Sequence, residues 1–151
     1  MIYGLAIVVV AVDQILKWVV RHHLALSQGV WVWPPVVELY HIQNAGGAFG
    51  ILPHFRLLFV VVALIVIGAV VYVDYRYRPT MWTRIGLGLL LGGAVGNFCD
   101  RIWQGTVTDY VYIAIIHFPI FNLADVCIDA GVIILLLHSL IAERKPSERD
   151  R

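Results

Sequence analysis

The chain has 151 residues, 60% of them hydrophobic and only 14% charged, with a formal net charge of +1. A soluble domain carries about 45–50% apolar and about 25% charged residues, so this composition excludes an ordinary water-soluble globule. The near-zero charge excludes a nucleic-acid binder, which needs a basic stripe; no nucleic-acid partner is expected.

The first apolar stretch predicts a helix over about residues 2–21, against the roughly 20 residues that span a bilayer. It lacks a basic leading region, and Asp13 and Lys17 stand where a small-residue cleavage site would fall, so a retained helix is expected. Asp13 precedes Lys17 by four positions, the favourable acid-before-base order on one helix face. About residues 22–56 follow as a platform. Within it "GVWVWPPVVELYHI" mixes β-branched and aromatic residues around Pro34 and Pro35, which predicts short strands broken by a turn. Trp31, Trp33 and Tyr40 suit a belt of rings at headgroup depth, with membrane lipid as their partner. "NAGGAFG", Asn44 to Gly50, then allows close backbone packing or positive φ.

A second, uninterrupted apolar run predicts a helix over about 57–75, and a third covers about 83–101. The third carries Gly86, Gly88, Gly92, Gly93 and Gly96, small residues that let neighbouring helices approach closely. The connection up to Phe121 contains "QGTVTDYVYI" with Asp109, and a fourth helix is expected over about 122–142. Cys99 and Cys127 sit among apolar residues without metal-ligand spacing and read as small buried hydrophobes. Seven basic residues (Arg76, Arg78, Arg84, Arg144, Lys145, Arg149 and Arg151) fall on one side of such a bundle, and Arg21, Arg56 and Arg101 on the other. This asymmetry places both termini in the cytoplasm. The expected fold is therefore an α-helical integral membrane protein. Four transmembrane helices carry a small β-rich periplasmic platform, with N and C termini cytoplasmic, and residues 1–151 form one membrane-embedded domain.

Topology gathers the polar residues at one depth, just inside the outer leaflet. Asp13 and Lys17 lie in the outer half of the first helix, and Asn44 just beyond it. Asn97, Asp100 and Arg101 end the third helix; Asn122, Asp125 and Asp129 project from one face of the fourth. A charge within a bilayer costs about 2.5–3.5 kcal/mol on insertion scales, so such groups need a function or a partner. Asn122 also reads as the helix N-cap, with Asp125 favoured in the first turn. Neither local role explains Asp109 or Arg101. Two carboxylates brought close share a proton, one then able to take a proton from water while the other polarises a carbonyl. No HExxH helix and no GxSxG elbow is present, so zinc and serine chemistry are not expected, and no metal or cofactor is called for. A proton-coupled transporter would place ionisable groups near the midplane and show repeated halves, and neither feature is present. A purely structural scaffold would leave Asp109 without a role.

The motifs then resemble those of bacterial lipoprotein signal peptidase, signal peptidase II, an aspartic protease family of the inner membrane. "DQILK" at Asp13 to Lys17, "NAGGAF" with Asn44, Gly46, Ala48 and Phe49, and "GNFCDR" with Gly96, Asn97, Asp100 and Arg101 match three family elements in order. "VTDYV" around Asp109 and "FNLAD" at Phe121 to Asp125 match the two that hold the family's catalytic aspartates. Gly47, Thr108 and Tyr110 depart from the usual residues at positions that touch packing. The resemblance implies that Asp109 and Asp125 are the catalytic pair. It implies supporting or substrate-binding roles for Asp13, Lys17, Asn44, Gly46, Asn97, Asp100, Arg101 and Asn122, while Asp129 falls outside the motif and reads as polar support. It further implies a diacylglyceryl-modified prolipoprotein as substrate, cut on the amino-terminal side of the lipidated cysteine. The site would face the periplasmic side of the cytoplasmic membrane, and globomycin-type cyclic peptides would inhibit it. Nothing in the sequence requires more than a monomer.

Overall fold

The computed structural model describes residues 1–47 and 50–143. Ala48 and Phe49 of the asparagine motif, and Arg144, Lys145, Arg149 and Arg151 of the basic tail, lie outside the described residues.

Four long helices form the body: α1 (Ile2–His23), α2 (Arg56–Tyr77), α3 (Met81–Trp103) and α4 (Leu123–Glu143). Each is long and apolar enough to cross a membrane. Their ends differ from the sequence expectation by one or two residues. α1 ends where Leu24 turns extended, its amide still bonded to the Val20 carbonyl. α3 begins at an N-cap in which Thr80 accepts from the Thr83 amide at 3.4 Å.

α3 is the axis of the bundle and packs against the other three helices. Its glycines make this possible. A Cβ on Gly93 would collide with the Ala124 carbonyl of α4, and one on Gly96 would sit 2.6 Å from Asp13 Oδ2 of α1. Small residues thus let backbones touch where hydrocarbon offers no hydrophobic driving force between helices. A compact apolar core of Ile2, Ala6, Val70, Leu87 and Leu91 closes the other end of the bundle. α2 is apolar all round and mostly exposed, as suits a helix facing lipid.

The platform is a three-stranded antiparallel sheet in the order β1 (Gly29–Trp33), β2 (Val37–Asn44), β3 (Val107–Ile113). The expected hairpin is present, with Pro34 and Pro35 in its turn. The third strand is a finding: the platform extends beyond residues 22–56 and recruits the connection that carries Asp109. β3 pairs with β2 from Val37↔Ile113 to Asn44↔Val107, with an irregularity between Leu39 and Ile42. That register sets Asp109 opposite Ile42, two residues from Asn44.

Candidate active site

Four unsatisfied amides open every α-helix. At α4 each finds a side chain, and these four bonds build the site. Asn122 and Asp125 cap each other: the Asp125 amide donates to Asn122 Oδ1 and the Asn122 amide to Asp125 Oδ2, both at 3.1 Å. The Leu123 amide donates to the Tyr110 hydroxyl of β3 at 3.3 Å. The Ala124 amide donates to Asp13 Oδ1 of α1 at 3.1 Å. The N-cap role expected of Asn122 is therefore real, and the same residues also serve the polar cluster.

Asp13 and Lys17 form the expected ion pair, at 2.9 Å with both side chains fully buried. Lys17 also approaches Asp100 at 3.3 Å and donates to Asn97 Oδ1 at 2.9 Å. A buried ion pair needs such additional bonds to offset its desolvation. Gln14, unassigned from the sequence, spans the same cluster by donating to Asp13, Asp100 and the Gly96 carbonyl. Asp100 takes the Thr108 amide at 3.0 Å, which ties α3 to β3. Thr108 also accepts from Arg21 and Gln43, at 3.0 and 3.1 Å. These ties hold β3 in place beside Asp109.

Asp109 is 3% exposed. Asn122 Nδ2 donates to its Oδ1 at 2.6 Å, and Asn44 Nδ2 to its Oδ2 at 3.0 Å. Asp125 accepts from Asn97 Nδ2 at 2.8 Å. Asn122 therefore touches both carboxylates, one through its amide side chain and one through its backbone. Burial, with the nearby Asp125 charge adding to it, pushes the Asp109 carboxyl up to about 6, against the opposing hydrogen bonds from Asn44 and Asn122. The fully wired asparagines leave little freedom for either carboxylate to turn.

Both aspartates line one cavity of about 430 Å3 between α2, α3 and α4. Its deeper wall is apolar, with Phe59, Val62, Val66, Leu90 and Ile128. Arg101 lines it too, held over the Phe59 ring at 4.9 Å and donating to the Gly46 carbonyl at 3.0 Å. Gly46 has no room for a side chain, because a Cβ would fall 2.5 Å from the Ile51 carbonyl. Asp129 lines the same cavity one turn deeper than Asp125. It is exposed and has no hydrogen-bond or ion-pair partner among the described residues. The structure thus brings together every polar residue singled out in the sequence, with Asp129 alone outside the bonded network. Reasoning from sequence missed Gln14, Thr108, Tyr110 and Arg21 as members. Gln14 matched the first family element with Asp13 and Lys17 but was given no role, whereas Thr108 and Tyr110 stood out only as departures.

The family model for signal peptidase (SPase) II matches residues 5–141. A lipoprotein signal peptidase of Symbiobacterium thermophilum is 42% identical over 146 residues, covering 93% of this chain and 95% of that protein. One from Bacillus velezensis is 39% identical over 150 residues, covering 97% and 98%. A solved structure described as a bacterial membrane enzyme superposes with a TM-score of 0.91 at 30% identity, covering 96% of this chain and 90% of that one. Fold and relatives together define a multi-pass membrane enzyme of the aspartic peptidase class. Within that class the chain belongs to the signal peptidase II family, as its motifs led one to expect.

Proposed function

We propose that the enzyme removes the signal peptide from lipoprotein precursors, cutting on the amino-terminal side of a diacylglyceryl-modified cysteine. The observation that carries this reading is the position of one buried and one half-buried carboxylate, Asp109 and Asp125, at one cavity whose deeper wall is apolar and formed by spanning helices. A lipid-anchored precursor presents an apolar signal segment and acyl chains together, and such a cavity suits both.

Asp109 and Asp125 act as a dyad that shares one proton. Burial, with the Asp125 charge adding to it, raises Asp109, and we assign to Asp109 the proton that the pair shares. Asp109 donates that proton towards the scissile carbonyl oxygen, while Asp125 takes a proton from water. The water oxygen bonds to the carbonyl carbon, giving a tetrahedral intermediate. Collapse breaks the C–N bond, and the proton held on the dyad passes to the departing nitrogen of the cysteine. Asn44, Asn97 and Asn122 hold the carboxylates in register, and Arg101 supplies positive charge at the cavity wall for charge developing on the oxygen. The rate is bell-shaped in pH, because doubly protonated and doubly ionised pairs both lack one of the two roles.

The same reading makes residues 1–151 one membrane-embedded unit acting as a monomer in the cytoplasmic membrane. Both termini lie in the cytoplasm and the sheet faces the periplasm. Globomycin-type cyclic peptides compete for the cavity. Asp129 supports the deeper part of the cavity and takes no part in bond breaking.

Mass spectrometry of products from purified enzyme in detergent tests the reading. A diacylated precursor should yield a mature chain beginning at the lipidated cysteine, and the unmodified precursor should be cut at least tenfold more slowly. Cleavage at another bond, or equal rates on both precursors, would contradict it.

A further inference from the structure

Peptide hydrolysis requires a chain on both sides of the bond that breaks, and the apolar cavity accounts for one side only. A second cleft of about 480 Å3 lies on the platform side, lined among others by Gln43, Tyr112 and His117. The two cavities share Asn44, Phe118, Pro119 and Ile120 as a common wall. Asn44 is also the residue that donates to Asp109 at 3.0 Å. The wall between the clefts therefore stands at the dyad itself. A chain that crosses the dyad out of the first cavity has the second cleft on the far side of this wall.

The lining decides which end of the substrate goes where. The first cavity is walled by apolar side chains of three spanning helices. The second is built from the sheet and the segments after β2 and β3, and Gln43, Asn44, Tyr112 and His117 add polar groups to a lining otherwise apolar. Of these, Gln43 is occupied: it donates to Thr108 at 3.1 Å and accepts from Thr106 at 2.8 Å. His117 is different. Its Nδ1 meets the Tyr112 hydroxyl at 3.0 Å, and its Nε2 has no partner among the described residues. With the phenol donating to Nδ1, the imidazole hydrogen sits on Nε2, and a protonated ring carries one there as well. His117 is exposed, so Nε2 is a donor open to an incoming chain in the cleft beside the dyad, and its complement is an acceptor.

We infer that the cleft bounded by Tyr112 and His117 binds the extended polypeptide that follows the lipidated cysteine, and that His117 selects an acceptor-bearing, preferably acidic, side chain there. This rests on the lipoprotein-processing reading above and adds to it a specificity residue on the side of the mature protein. Tyr112 is a positioning residue that fixes the ring through Nδ1.

The test uses full-length enzyme in detergent and two diacylated precursors that differ only in carrying Asp or Lys at the two positions after the cysteine. Wild type should favour the Asp precursor by about tenfold in kcat/KM, the worth of one hydrogen bond to a charged group. His117→Ala should bring that ratio close to one, Tyr112→Phe should lower it partway, and His117→Asn should retain part of it. Because the readout is a ratio of two substrates, a general loss of folding or activity cancels. A ratio near one in wild type, or one unchanged by His117→Ala, overturns the inference while leaving lipoprotein processing intact. Failure of wild type to cut either precursor overturns both.

Discussion

Asn122 stands where β3, α3 and α4 meet, and its side chain is fully buried. It caps α4, donates to Asp109 and donates to Asn97, so helix capping and site geometry depend on one amide. The neighbouring coupling of Asp109 to Asp125 has a measurable consequence. Burial and, after it, the Asp125 charge push the Asp109 carboxyl up to about 6. Replacing Asp125 with Asn removes a like charge, so Asp109 should ionise more readily and titrate below 6. Carboxyl 13C NMR of labelled protein should record that downward displacement; an unchanged or higher midpoint would show that the two groups are not coupled. At this scale the sequence was informative where spacing spoke. Asn122, Asp125 and Asp129 share a helix face at intervals of three and four. The intervals could not separate Asp125, wired to Asn97 and Asn122, from Asp129, which has no such partner. The family motif, which ends at Asp125, makes that distinction in sequence, and the reach of Asn97 from α3 makes it in the fold.

At the scale of elements, α3 and the β1–β2 hairpin carry contrasting surfaces. α3 is tight: Gly93 leaves no space for a side chain against Ala124. Gly93→Leu should push α4 away and carry Asp125 with it, costing about 1–3 kcal/mol in stability through overpacking. Thermal unfolding in detergent should show the loss, and an unchanged midpoint would contradict the packing described. β1 is the opposite, an edge strand of apolar residues exposed on both faces, with Val32 at 63% and Trp33 at 66%. An edge of that kind is an association hazard in water and is at home among lipids. In vesicles, brominated lipid should quench Trp31 and Trp33 more strongly than aqueous iodide does, read in protein with the other three tryptophans replaced. The reverse order would place the hairpin in water. The four helices and this hairpin were legible because hydrophobic run length and β-branched patterning are local signals. β3 was not read, although Val107, Thr108, Tyr110, Val111, Tyr112 and Ile113 are all good strand formers. Its partner β2 lies more than sixty positions earlier, and a pairing at that distance leaves no periodic trace in one sequence.

For the whole molecule, the bundle and the sheet divide the work. α3 gathers α1 and α4 so that Lys17 lies between Asp13 and Asp100 in the interior, with Arg21 3.9 Å from Asp100 as a second cation. The sheet brings Asp109 over the first turn of α4, and α2 completes an apolar cavity beside the pair. The burial cost of so many polar groups is offset by a network in which each member has partners. Long-range topology, rather than any single motif, turns scattered carboxylates into a site. The central claim is that Asp109 and Asp125 together activate water. Its most direct test is the single-turnover rate of Asp109→Asn and Asp125→Asn on a diacylated precursor, with folding checked by thermal unfolding. Each variant should lose about 10³-fold or more while remaining folded. Near-normal turnover in either folded variant would contradict the dyad.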